Sequence, residues 1–229
     1  MAMSASTDAN DEDAAPVRPA RDLHFPDDHA VGMIIVTDPA GGGVPAPQPA
    51  QGTIHVPPGH AATFIFNPGG EVDVAALEAL DPDSLDMAMN APANNNACLA
   101  ALARLTSLSA IMSQGEVDDE GLKHLSGMTN LGMLVVQVGA VTAEGIGHLA
   151  RLPNLARLVL AGPVSADALR PLADAPRLGG LQIPMADEDT VEAVRDLLPD
   201  LNINGVWLSP KARRQMAAAK LKSSPGPSD

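Results

Sequence analysis

Aromatic side chains are nearly missing from this chain. Of its 229 residues three are Phe, one is Trp and none is Tyr. Any core must therefore be built from Leu, Val, Ile, Met and Ala, within a hydrophobic content of 45%. Thin aliphatic layers suit a fold made of small repeated units. Cysteine is as scarce: Cys98 stands alone, which excludes a disulfide framework within the chain. Bases are few. Lys and Arg number 14 against 28 Asp and Glu, for a formal net charge of −14, and residues 31–208 hold 20 acids against 7 bases. Such a surface repels phosphate backbones and anionic headgroups, so neither nucleic acid nor membrane is expected as a partner. It steers a basic protein partner instead. No apolar run approaches the roughly 20 residues of a membrane span. The acidic start MAMSASTDANDEDAAP has neither the basic nor the apolar region of a secretory signal. The expected location is cytoplasmic.

Motifs that carry chemistry are also missing. There is no G-x-S-x-G, HExxH, CxxC pair, phosphate loop or dinucleotide fingerprint. Ala40-Gly41-Gly42-Gly43 lacks the Lys and the following helix of a phosphate loop and reads as a linker.

Periodicity dominates what is there. L-x-x-L-x-L segments begin at Leu108, Leu131, Leu155, Leu178 and Leu201, spaced 23, 24, 23 and 23 residues. The clearest runs Leu131, Leu134, Val136 and then Ile146, Leu149, Leu152. The first triplet ends in alternation, the mark of a strand with one buried face. The second is spaced by three, the mark of a helix stripe. Each unit is thus a strand, a turn, a helix and a turn. One unit cannot bury its own leucines, so the units must stack. A degenerate first unit holds Leu85, Met87, Leu99, Leu102 and Leu105, and the last, Leu201-x-x-Asn204-x-Val206, is partial.

Upstream, residues 1–21 lack apolar periodicity and read as a disordered acidic tail. Residues 31–37, 53–56 and 62–66 read as a small β-structure of about three strands, and 72–80 as a short helix. Downstream, 209–222 reads as a helix, with Ser209 as N-cap, Pro210 at its first position and bases toward its end. The expected organisation is a tail over 1–21, a β-rich cap with a short helix over 22–81, repeats over 82–208, and a basic helix and tail over 209–229.

Two stretches carry a resemblance. Residues 118–131 (DDEGLKHLSGMTNL) and 142–155 (TAEGIGHLARLPNL) resemble the bacterial leucine-rich repeat consensus T-D-A-G-L-x-H-L-x-x-L-x-N-L. That family is similar in plan to ribonuclease-inhibitor-like proteins. The resemblance covers just over half of the chain. It implies an α/β solenoid with a parallel β-sheet on the concave face, and a protein-binding scaffold as the role. One departure is visible. The family often places Asn after the strand, whereas here Val138-Gly139-Ala140 and Gly162-Pro163-Val164 follow it, so that ladder is missing.

Candidate sites fall into two groups. His124 and His148 lie one repeat apart, at a consensus helix position, and are read as surface residues without a third metal ligand. Cys98 stands in the slot of Gly121 and Gly145, where a small buried residue is wanted. The acidic groups at 116–120 and 187–189 are read as helix N-terminal charge. Neither a metal nor a cofactor is expected, and the chain is not expected to be an enzyme. The second group is the strand face. Residues between the buried leucines point outward: Met112 and Gln114; Met133, Val135 and Gln137; Arg157, Val159 and Ala161; Gly180 and Gln182; Ile203, Gly205 and Trp207. This strip is apolar for a solvent-facing sheet. Partner contacts are therefore expected at Met112, Met133, Val135, Gln137, Arg157, Val159, Gln182 and Trp207. The covering group is a protein of unknown identity, a second copy of the chain, or the chain's own N-terminal segment or C-terminal tail. The alternatives are a structural subunit of a larger assembly and, less favoured, a small Cys/His enzyme or metal protein.

Overall fold

The computed structural model describes residues 17–41, 43–67, 71–92 and 96–204. In chain order the strands are β1 (Arg21–His24), β2 (Met33–Thr37), β3 (Gln48–Pro49), β4 (Thr53–Val56), β5 (Ala61–Ile65), β6 (Met87–Pro92), β7 (Ala110–Val117), β8 (Met133–Val138), β9 (Arg157–Ala161), β10 (Gly180–Gln182) and β11 (Asn202–Ile203). The helices are α1 (Val74–Glu78), α2 (Asn96–Ala103), α3 (Asp119–His124), α4 (Ala143–Ala150), α5 (Ala166–Leu169) and α6 (Glu188–Leu197). Short 3-10 stretches extend α3 and α5, at Leu125–Gly127 and Arg170–Asp174.

These elements form a mixed α/β structure. Nine strands make one mostly parallel sheet in the order β11-β10-β9-β8-β7-β6-β5-β2-β3, and β1 pairs with β4 in a separate antiparallel ribbon. From β5 to β11 sheet order follows chain order, and every pair is parallel. The 23–24 residue spacing of the sequence is the register of the sheet. Leu134 lies opposite Ile111 and Leu158, Leu158 opposite Leu181, and Leu181 opposite Ile203. All five are buried, as are the helix rows Leu99, Leu122, Ile146, Leu169, Val191 and Leu102, Leu125, Leu149, Leu172, Val194. Strand and helix stripes therefore share one aliphatic core. All three Phe gather at its N-terminal end, Phe64 stacking on Phe25 at 5.9 Å and meeting Phe66 edge-on at 4.8 Å.

Polar rows repeat with the same period. Asp118, Thr142, Ser165 and Asp187 cap α3, α4, α5 and α6, each side chain accepting a backbone N–H of the first turn. Before each strand, the carbonyls of Asp86, Ser109, Gly132, Ala156 and Gly179 accept N–H groups from the next unit. Asparagines instead form a row before the strand. Asn130 Nδ2 donates to the Thr106 carbonyl (2.7 Å) and Asn154 Nδ2 to that of Thr129 (2.8 Å).

Three expectations at the ends need correction. The segment 31–66 does not form one three-stranded piece: β4 pairs with β1, while β2, β3 and β5 continue the main sheet, β5 lying parallel to β6. The tail boundary at 21 lies too late, because Arg21 opens β1, and Arg18 and Arg21 both donate to the Asp86 carboxylate, which also accepts the Ala62 N–H. The repeat template turns Ile203 outward and Asn204 inward. The structure places Ile203 opposite Leu181 and buries it, because an amide in that slot would bring polar groups into an aliphatic core. Asn204 instead takes a left-handed turn (φ 51°), a conformation Asn tolerates, and its Oδ1 accepts the Ile183 N–H at 2.7 Å. Gly180 lies on the open face as expected, opposite Arg157, and is buried there. Trp207, Gly205 and the helix expected over 209–222 lie outside the described residues.

Candidate interaction face

Strand residues alternate across the sheet. Those between the buried Leu, Val and Ile point away from the helix row, and they align in register. Met112 lies opposite Val135, Val135 opposite Val159, and Val159 opposite Gln182. In the adjacent row Met133 lies opposite Arg157, with Arg157 Nη1 at 3.9 Å from the Met133 sulfur. Met112, Met133, Val135, Arg157, Val159 and Gln182 are half-buried, and Gln137, opposite Ala161, is exposed. Seven of the eight candidate contact residues thus share one face, the eighth being Trp207.

The face extends further than the periodicity suggests. Through β6, β5 and β2 it gains Met89, Ile65 and Met33 in one row, and Met87, Thr63 and Ile35 in the next, all half-buried. Five of the ten Met of the chain lie here: Met33, Met87, Met89, Met112 and Met133. Thioether side chains adapt to irregular partners, which makes this row a deformable apolar surface. No sequence signal announces that β5 joins β6 in parallel, so these residues escape a reading based on repeats. A break interrupts the face at β7, which bulges between Met112 and Glu116 around Gly115 (φ 91°). Beside it, Gln114 Nε2 donates to Asn90 Oδ1 at 3.0 Å.

The alternative centre does not assemble. Cys98 is fully buried in the core, and desolvation pushes its thiol pKa up to about 12, away from thiolate chemistry. His124 and His148 are half-buried near the ends of α3 and α4. His148, with Glu144, Arg151 and Asp174, lines an open groove of about 770 Å³ on the helix side. No cluster of three His, Cys, Asp or Glu suited to a metal ion occurs among the described residues. The small-residue slot is occupied by Cys98, Gly121, Gly145 and Ala168, all buried. At Gly145 the need is steric, since a Cβ would run into Asp119, whose carboxylate accepts both the backbone N–H (2.9 Å) and the hydroxyl (2.6 Å) of Thr142. No described helix is long and apolar enough to cross a membrane. No family model matches the chain, and no curated protein matches it either.

Proposed function

We propose that the chain is a non-catalytic protein–protein interaction module that takes a protein partner on its open strand face. The observation that carries this reading is the two rows of mostly half-buried, mainly apolar residues on one face of the sheet, in register from β2 to β6 and again from β7 to β9. Surfaces of this kind mark contact sites, and Met-rich ones fit partners by repacking. The partner's matching chemistry is an apolar segment with basic flanks, given a net charge of −14 and the exposed Glu116 at the edge of the strip. The finer architecture we propose is a leucine-rich repeat solenoid with this face concave. The 23–24 residue register and the Asn130 and Asn154 ladder support it.

The test is a comparison of wild-type protein with Val135→Arg and a control on the helix side, Arg151→Gln. A partner captured by wild-type protein and identified is titrated against all three. A charge forced into the centre of the interface weakens binding by about 2 kcal/mol or more, roughly 30-fold. Unchanged affinity for Val135→Arg, with an unchanged circular dichroism spectrum, overturns the site. The acidity favours a second reading, a structural subunit docked by charge to basic neighbours. It predicts association that collapses as salt rises from about 0.05 to 0.5 M, while insertion at the apolar strip predicts little change.

A further inference from the structure

The described chain ends at Asn204, just after β11, at one edge of the sheet. Each of α2 to α5 has a helical neighbour on both sides, whereas α6 has α5 on one side and no helix beyond it among the described residues. Thr190 and Leu197 of α6 are half-buried and line grooves shared with Val164 and Ser165, and with Leu172 and Ala173. They mark the side turned to α5. On the helical wheel the opposite side carries Glu188, Glu192 and Arg195, all exposed.

The segment 209–222 fits that side in two independent ways. The first is phase. The N-caps Asp118, Thr142, Ser165 and Asp187 stand seven to nine residues after the first residue of β7, β8, β9 and β10. Ser209, a residue type favoured at N-caps, stands seven residues after the start of β11 and precedes Pro210. The second is charge. Residues 205–229 hold five Lys and Arg against a single Asp, in a chain that is acidic elsewhere. On a helix with Met216 turned to the core, Lys211, Gln215 and Lys222 share the side that meets Glu188 and Glu192.

We propose that the free side of α6 is a docking surface and that its occupant is the chain's own segment 209–222, supplying the helix of the unit that β11 begins. This inference stands apart from the proposed partner site.

Hydrogen exchange of the full chain, read by mass spectrometry, tests the proposal. Amides of 212–222 are expected to exchange at least about ten-fold slower than an unstructured peptide. Glu188→Lys with Glu192→Lys removes that protection, and adding Lys211→Glu with Lys222→Glu restores it. Exchange at the unstructured rate in wild-type protein overturns the proposal. So does protection that the α6 reversal leaves intact, because the segment is then seated elsewhere. Protection that grows with protein concentration overturns docking within one chain and assigns the occupant to a second copy.

Discussion

Leu158 is fully buried and lies opposite Leu134 and Leu181, at the centre of the repeated strands. Leu158→Ala removes a side chain whose neighbours on both strands are fixed by register, so the void cannot collapse fully. The expected loss is about 2 to 5 kcal/mol, read from urea unfolding. A loss below about 1 kcal/mol would contradict the packing assigned to this row. Cys98 makes the complementary case. Its thiol, pushed up to about 12 by burial, is expected to resist alkylation at pH 8 in the folded protein and to react on unfolding in urea. Fast labelling of native protein would place this residue at the surface and reopen a role in chemistry.

At the scale of elements, every repeat helix from α3 to α6 begins on a side-chain cap, and α6, like α3, has three acids at its start, with Glu188 and Asp189 behind Asp187. The Asp187 carboxylate accepts the Thr190 N–H at 2.8 Å, and hydrogen bonding to the Thr190 side chain first and to its backbone N–H second lowers its pKa below the ordinary 3.8. A depressed carboxylate stabilises the fold above its unfolded-state pKa, and that contribution fades as pH falls through the lower folded value. Asp187→Ala is expected to lower the urea unfolding midpoint at pH 7. The difference from wild-type protein should shrink below about pH 4, where the unfolded-state carboxylate binds its proton. A difference that stays constant to pH 2 would mean that the cap acts through something other than its charge.

Elements also mark how far sequence reasoning reaches. The helices and strands of the central units follow from two interleaved periods, because Leu spacing alone decides which side each residue buries. At the ends the periodic reading fails for identifiable reasons. The last unit slips by one because burying Ile203 and turning at Asn204 outweighs the template. The partnership of β5 with β6 depends on contacts between unlike sequences, which no repeat reports. The strand face is legible where the repeats are regular, at Met133, Val135 and Val159. It is invisible at Met33, Ile65 and Met89, where no repeat exists.

For the whole molecule, the joint between the N-terminal ribbon and the main sheet runs through one carboxylate. Asp86 accepts from Arg18, Arg21 and the Ala62 N–H. Burial lowers the Arg21 pKa even though Asp86 and its hydrogen bond act to raise it. The desolvation of this cluster therefore offsets much of its attraction, and it acts as a positional lock more than as a source of stability. Asp86→Ala leaves two guanidinium groups without their carboxylate. The expected loss is about 2 to 3 kcal/mol, with proteolytic cleavage appearing first between residues 17 and 60. Cleavage confined to the repeats would show that the lock sits elsewhere.

The row of carbonyls at Ser109, Gly132, Ala156 and Gly179 has a consequence for how such a chain can change in length. Each accepts N–H groups from the start of the next strand in the same phase. A gene that loses the codons for one whole unit, residues 133–156 for example, brings Arg157 to the Ser109 carbonyl that Met133 had used. Every rung is then restored, with one fewer in the ladder. Loss of a single codon inside β8 shifts its remaining inward residues onto the wrong face. Viable relatives of this chain should therefore differ in length by multiples of 23 or 24 residues, with odd insertions confined to the turns.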